Sequence, residues 1–313
     1  MRKTVLSFGE TLWDLFPSGP ALGGAPFNFA CRLHSLGERA IIVTRLGRDG
    51  HGRKALEQIA ALGMDASHVQ TDDHHPTGVV KVTLDGKRNP DFLIVPDAAY
   101  DFIDVTGKLL ELAAGADCFC FGTVAQRAPV SRSALHRLLE AAGAAVKFLD
   151  INLRPDCFFR ETITESLRKA NVLKMNLSEA HYLAELFEIS ISSLPDFCAE
   201  IMEGWSLSCC LVTMGEHGAF AASVDGKKVY VPGYSIRVVD TCGSGDAFAA
   251  GFIHEYLRSK PLADCCRLGN ALGAMVAMQR GATTSLSIEE VRHFLKAKHR
   301  RFHEPSLRNF ETG

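Results

Sequence analysis

Several signatures are missing from this 313-residue chain, and each absence removes a class of function. No apolar run approaches the roughly 18 residues of a membrane helix. The stretch from Met1 to Glu10 has no long apolar core and meets an acid early, so it does not read as a secretory signal peptide. There is no basic stripe or polybasic tail. The net charge is −2 and the pI about 6.6, so nucleic acid is not an expected partner, nor is a membrane. The ten cysteines form no C-x-x-C pair. They read as reduced thiols buried as small hydrophobes in a cytoplasmic protein. The twelve histidines include no H-E-x-x-H, and His74-His75 lies in a polar loop and reads as solvated. A G-x-x-x-x-G-K-[ST] phosphate loop is also absent. No internal repeat or low-complexity tract interrupts the chain.

What is present is apolar content ample for a sizeable core, arranged as strands alternating with helices. The patterning predicts strands over Thr4 to Phe8, Ala40 to Leu46, Asp117 to Phe121, Val146 to Ile151, Asn171 to Met175, Cys209 to Met214 and Ser235 to Val239. It predicts helices over Pro26 to Leu36, Gly50 to Leu62, Val130 to Ala142, Ser178 to Phe187, Asp246 to Arg258, Leu262 to Gln279 and Ile288 to Lys298. Repeated βα units imply an α/β fold with a mostly parallel sheet covered on both faces. Ligands of such sheets bind outside the carboxyl ends of the strands. Thr11 to Leu22 and Gly78 to Val95 break the rhythm with strand patterns and no helix between. The second reads as a hairpin turning at Asp85-Gly86, and both read as a small β layer over the active site. The tail after Lys298 is charged and reads as loosely held.

The most informative run is Asp240-Thr241-Cys242-Gly243-Ser244-Gly245-Asp246, placed where a predicted strand becomes a helix. The first N–H groups of a helix have no internal partner, and the helix dipole adds partial positive charge there. Glycines let those groups face a ligand, so the turn of Gly243, Ser244 and Gly245 is an anion site. Asp246 would repel an anion. It makes sense as a base that takes a hydroxyl proton beside the developing charge, as phosphoryl transfer to an alcohol requires. The competing readings are a helix-capping aspartate and a dinucleotide fingerprint with Asp264 about twenty residues on. The fingerprint needs Gly or Ala at its sixth position, where this chain has Phe248.

This segment resembles the C-terminal signature of the ribokinase-like (PfkB) sugar kinases, Asp-Thr-x-Gly-Ala-Gly-Asp, with Ser244 in place of the alanine. The family's other signature, Gly-Gly-x-x-x-Asn, is matched at Gly23-Gly24 and Asn28. The resemblance spans nearly the whole chain in the family's order. It implies one kinase domain over 1–313, with a lid formed by about 11–24 and 76–98 that mediates a homodimer. It implies ATP with Mg²⁺, and K⁺ as a further cofactor. Asp14, in Gly9-Glu10-Thr11-Leu12-Trp13-Asp14, would grip sugar hydroxyls together with Asn28. Arg154, in Asp150-Ile151-Asn152-Leu153-Arg154-Pro155, would neutralise phosphate, and Gln126 in the loop Gly122 to Arg127 would read the sugar. Asn176 and Glu179 match the family's Asn-x-x-Glu, which orients waters on magnesium, although a capping box explains the same spacing. Thr213, Gly215 and Gly218 resemble the nucleotide turn, and Asn270 matches a position near adenine. Asp240, Cys242, Gly281 and Ser285 resemble the monovalent-cation site. The starts Gly-Glu-x-Leu-Trp-Asp, Gly-Gly-Ala-Pro-x-Asn and Asp-x-Asn-x-Arg-Pro are most similar to fructokinases, with 2-keto-3-deoxygluconate kinases next. A non-catalytic sugar or nucleotide sensor on the same fold is the reading from a different class, and retention of Asp246 speaks against it.

Overall fold

The computed structural model describes residues 1–16, 19–84 and 90–312, with side chains of 82–84 and 90–92 left aside. Its strands in chain order are β1 (Thr4–Phe8), β2 (Leu12–Phe16), β3 (Gly19–Gly23), β4 (Arg39–Gly47), β5 (Val69–Asp72), β6 (Gly78–Leu84), β7 (Pro90–Ile94), β8 (Cys118–Phe121), β9 (Val146–Asp150), β10 (Val172–Asn176), β11 (Cys209–Thr213), β12 (Ala219–Ser223), β13 (Lys228–Val231), β14 (Gly233–Tyr234) and β15 (Arg301–Phe302). The helices are α1 (Ala25–Ser35), α2 (Gly50–Ala61), α3 (Gly107–Ala114), α4 (Pro129–Ala141), α5 (Arg160–Lys169), α6 (Leu177–Phe187), α7 (Leu194–Trp205), α8 (Ser244–Tyr256), α9 (Leu262–Ala277) and α10 (Ile288–Lys296).

The main sheet runs β13-β12-β11-β10-β9-β8-β1-β4-β5 and is parallel from β11 to β5, with β12 and β13 antiparallel at one edge. Alternate residues of each central strand enter different cores. Phe148, Val172, Cys209 and Leu211 join one apolar cluster with α1 and α8, while Leu149, Leu173, Cys210 and Val212 join another with α4 and α7. That alternation is the period-two geometry of a strand, so helices cover both faces, as the sequence pattern implies. The chain reverses its order at β1, between β4 and β8, and this is where an open α/β sheet leaves a crevice.

A separate four-stranded sheet, β3-β2-β6-β7, stands over that edge of the molecule. It comprises the two segments that break the βα rhythm; the expected turn at Asp85-Gly86 lies outside the described residues. Arg127 ties its end to the body. Its guanidinium donates to the carbonyls of Ile94 and Val95 and pairs with buried Asp101 at 2.7 Å.

Two expectations are corrected. Ser235 to Val239 forms no strand, because its backbone bonds leave the sheet: Val239 and Asp240 N–H donate to the Ala277 carbonyl at the end of α9, and Val238 and Val239 face outward. The tail is not loose. β15 pairs with β14, Leu307 is buried, and Phe310 meets Phe220 edge-on at 5.8 Å. Tyr230 fastens it, accepting from Glu304 N–H and donating to the His217 carbonyl. Among the described residues no helix is long and apolar enough to cross a membrane. Nine of the ten cysteines are buried, and Cys242 is half-buried.

Candidate active site

The site assembles at the carboxyl ends of β1, β8, β9 and β10, where α8 points its N-terminus. Gly243 is the N-cap of α8 at φ +75°, and no side chain caps the helix. The Ser244 amide is taken up inside the turn by the Thr241 carbonyl at 3.2 Å. The amides of Gly243, Gly245 and Asp246 find no acceptor among the described residues, so in this turn these three, and not that of Ser244, are open to a ligand. The Ser244 hydroxyl is also buried without a partner, so this residue offers its side chain instead of its amide.

Asp246 is the third residue of α8. Asn28, on α1, donates its amide Nδ2 to Asp246 Oδ2 at 2.8 Å. This leaves the other carboxylate oxygen free, and it leaves Asn28 Oδ1 buried with no partner. Asn28 is carried to this point by an unusual helix start. Gly24, the N-cap of α1, sits at φ +108°, and a Cβ there would meet the Glu10 carbonyl oxygen at 2.4 Å. Only glycine takes that conformation without strain. The Glu10 side chain is buried against the start of α1, where its Cγ would lie 3.3 Å from a Cβ on Gly24. Asp14, on β2, reaches the same space, since a Cβ on Gly23 would lie 2.9 Å from its Oδ2 and 3.9 Å from Asn28 Oδ1. Residues from the small sheet, from α1 and from α8 therefore meet, as the two sequence signatures predict.

The cleft is acidic, and partial burial shows in its carboxyls. Burial pushes Asp246 up to about 6; Asp150 adds to the rise, while Lys174, the Asn28 hydrogen bond and Arg154 oppose it. Burial pushes Asp14 up to about 6 against the pull of Arg154. Glu10 is pushed up to about 7, chiefly by burial and partly by Asp246. Exposed Arg154 thus acts on all three acids. With Asp246 as base, the ionised form is the active one, so activity is lost as protons bind. We expect kcat/KM to be flat above neutrality and to fall about tenfold per pH unit below about pH 6. A pH-rate profile that stays level down to about pH 5 would rule out this carboxylate as the base.

Other expected residues are placed as follows. Asn176 and Thr213 are cross-strand partners at the ends of β10 and β11. Asn176 and Glu179 form a reciprocal capping box on α6: Asn176 Oδ1 accepts from the Glu179 amide at 2.9 Å and Glu179 Oε2 from the Asn176 amide at 2.7 Å. Glu179 Oε1 accepts from Leu153 N–H at 3.0 Å, so both oxygens are engaged and only their second lone pairs face outward. Gly215 is exposed and Gly218 buried in the turn after β11. Asn270 is buried on α9, donating to the carbonyls of Val231 and Pro232, which fixes the β13–β14 connection. Asp240 ties two loops together, accepting from the amides of Cys242 and Gly281, each at 3.0 Å. Burial pushes the Cys242 thiol up to about 12, so any contact it makes with a cation is through its carbonyl. Ser285 is exposed beside that loop.

Gln126 does not face the cleft. It has no exposed surface, and its amide donates to the Gly122 carbonyl and to Ser166 Oγ. The short helical turn over Val124–Arg127 rolls it into the body and leaves Arg127 to clamp the small sheet. Lys174 carries no sequence motif, and Glu10 enters the sequence pattern only as part of the Gly9 to Asp14 run; both are added to the site by the structure. Among the described residues no three His, Cys, Asp or Glu side chains cluster as a metal cage. Glu179, which keeps one free lone pair on each oxygen, suits a divalent ion that retains its waters and takes its remaining ligands from nucleotide phosphates.

A family model described as pfkB family carbohydrate kinase matches residues 20–289. The chain is 30% identical to fructokinase-1 of Oryza sativa subsp. japonica over 92% of its own length and 95% of that protein. Its fold superimposes with a TM-score of 0.82 on a fructokinase of Xylella fastidiosa solved with bound ATP, at 23% identity, covering 95% of this chain and 99% of that one. With a double mutant of the fructokinase of Vibrio cholerae O395, solved with fructose, ADP and potassium ion, the TM-score is 0.80 at 24% identity, covering 94% of this chain and 98% of that one. At these identities the two structures share the fold.

Proposed function

The chain belongs to the pfkB family of carbohydrate kinases, and from that premise we propose that this sugar kinase phosphorylates a neutral ketohexose, fructose first, at a primary hydroxyl. The observation that carries the reading is the Asn28–Asp246 pair at the N-terminus of α8. Asn28 Nδ2 holds one oxygen of Asp246, and Asn28 Oδ1 is left to accept from a sugar hydroxyl. The free oxygen of Asp246 takes the proton of the attacking hydroxyl. That sugar oxygen bonds to the γ-phosphorus of ATP, and the bond to the β–γ bridging oxygen breaks with its electrons passing to ADP. The unpaired amides of Gly243, Gly245 and Asp246 face the charge that spreads over the transferring group. Asp14 accepts from neighbouring hydroxyls and fixes which one is presented. Arg154 lies on the open side, where nucleotide phosphates enter. Magnesium, when bound, neutralises phosphate oxygens; Glu179 would hold it through water, with Asn176, Thr213, Gly215, Gly218 and Asn270 lining the nucleotide side. Potassium, named with the Vibrio cholerae fructokinase, would sit at the loops of Asp240, Cys242, Gly281 and Ser285, which Asp240 ties together. The small sheet acts as the lid that excludes water, and its edges suit a homodimer.

The charge pattern favours a neutral sugar over a sugar acid. The walls near the acceptor are Asp14, Asp246 and Glu10. A substrate carboxylate about 4 Å from one such charge meets about 1–4 kcal/mol of repulsion, depending on how much water screens it. ADP release measured across fructose, ribose, adenosine and 2-keto-3-deoxygluconate tests this. Fructose should exceed the keto-acid by about tenfold or more in kcat/KM. Preference for the keto-acid would overturn the assignment to a neutral sugar.

A further inference from the structure

β9 and β10 are adjacent and parallel, with Lys174 directly opposite Asp150. Both side chains are buried, and Lys174 Nζ donates to both oxygens of Asp150 at 2.9 Å. A buried ion pair adds little stability over apolar residues of the same volume, so stability alone does not account for it. Its position does suggest a role. A Cβ on Gly245 would lie 3.3 Å from Nζ, which places the ammonium against the first turn of α8. A helix N-terminus is the wrong end for a cation. Here the ammonium stands beside Gly245, whose amide, like that of Asp246, has no acceptor among the described residues. The carboxylates of Asp150, Glu179 and Asp246 all act on this ammonium, and with the open amides of the helix start beside it the arrangement suits a highly charged oxyanion. Two of the three ammonium hydrogens are directed to Asp150, and the third is left for a ligand. The missing side chain at Gly245 keeps that direction open.

We propose that Lys174 is a catalytic residue of this kinase, donating its third N–H to the γ-phosphoryl group as it transfers, with Asp150 holding the ammonium in place. The proposal rests on the kinase site described above and assigns this chain a phosphoryl contact outside its two signature motifs. A lysine is suited to the task because its charge is compact and unchanged through the step.

The test is nucleotide discrimination, which needs no sugar. Isothermal titration with Mg²⁺ compares AMP-PNP, which keeps a γ-phosphoryl, with ADP, which lacks one, in the parent, in Lys174→Met and in Lys174→Met/Asp150→Asn. The double variant leaves no orphaned carboxylate and keeps the test available if the single variant does not fold. The expected result is that both variants lose at least about tenfold of the parent's preference for AMP-PNP, with ADP affinity nearly unchanged. In turnover, kcat should fall about 10²–10³-fold, with a smaller change in KM for ATP. Preference for AMP-PNP kept in the double variant, equal weakening of both nucleotides, or a parent that shows no preference would each overturn the proposal. A parent that binds AMP-PNP preferentially but phosphorylates none of the sugars tried refutes the sugar assignment and leaves Lys174 to be decided by the titration.

Discussion

Asp246→Asn is expected to lower kcat by about 10²–10⁴-fold while sugar and nucleotide affinities stay within about tenfold of the parent. The substitution keeps the shape of the side chain and its place on α8. It can still accept from Asn28, whose Nδ2 lies 2.8 Å from the oxygen that remains in position. What it removes is the charge proposed to take the hydroxyl proton. The loss is bounded because a loose transition state leaves the proton on the alcohol until late, and because the amides and the bound cations still act on the phosphoryl group. Two further readings separate this from general damage. The acid limb below about pH 6 should change in position or depth, because one of the three carboxyls that titrate in this range, beside Asp14 and Glu10, is gone. The melting temperature should hold or rise, since a buried carboxyl whose ionisation is disfavoured is replaced by a neutral group. Asp246→Asn with near-normal turnover sinks the mechanism.

The sequence carried the parts of this site that depend on local chemistry. Gly243, Gly245 and Asp246 occupy one turn, and their spacing alone describes an anion cradle with a base beside it. The Gly23-Gly24 pair and Asn28 are equally local, and the βα rhythm places them at the carboxyl edge of a parallel sheet. What stayed hidden depends on register and long-range pairing. Lys174 lies in the apolar run Val172–Asn176 and reads as a strand residue; it meets Asp150 only because β10 lies beside β9 in that alignment. Glu10 is buried against the start of α1 from outside that helix, a contact that no local pattern announces. The valines at 238 and 239 suggest a strand by propensity, yet their backbone bonds to the end of α9, and tertiary context overrides the preference. The tail looks loose by composition because its anchors, Leu307 and Phe310, are few and spaced among charges. Gln126 sits after a strand end, as functional residues often do, but the turn that follows β8 rolls it inward.

Gly243→Ala should cost about 2–5 kcal/mol of stability and about 10²-fold or more in kcat. Two separable effects act at this position. The backbone is at φ +75°, where an alanine is strained, and the new Cβ would come within 2.3 Å of the Ala282 Cβ and 2.8 Å of its Cα. Ala282 cannot easily retreat, because buried Arg32 holds this loop through the carbonyls of Ala282 and Thr284, and Gly281 is tied to Asp240. The turn must then shift. A displacement of about 1 Å is enough to misalign amides with a transferring group. Thermal melts and kinetics on Gly243→Ala and on Gly243→Ala/Ala282→Gly divide the two effects. The second substitution removes the contact with the Ala282 Cβ but neither the 2.8 Å contact with its Cα nor the strain, so it should recover part of the stability. Turnover should remain low in both, because the residue that caps α8 without distortion is still missing. A single variant as stable and as active as the parent would mean that the cradle tolerates a side chain at its cap, and the assignment of Gly243 to the anion turn would fail.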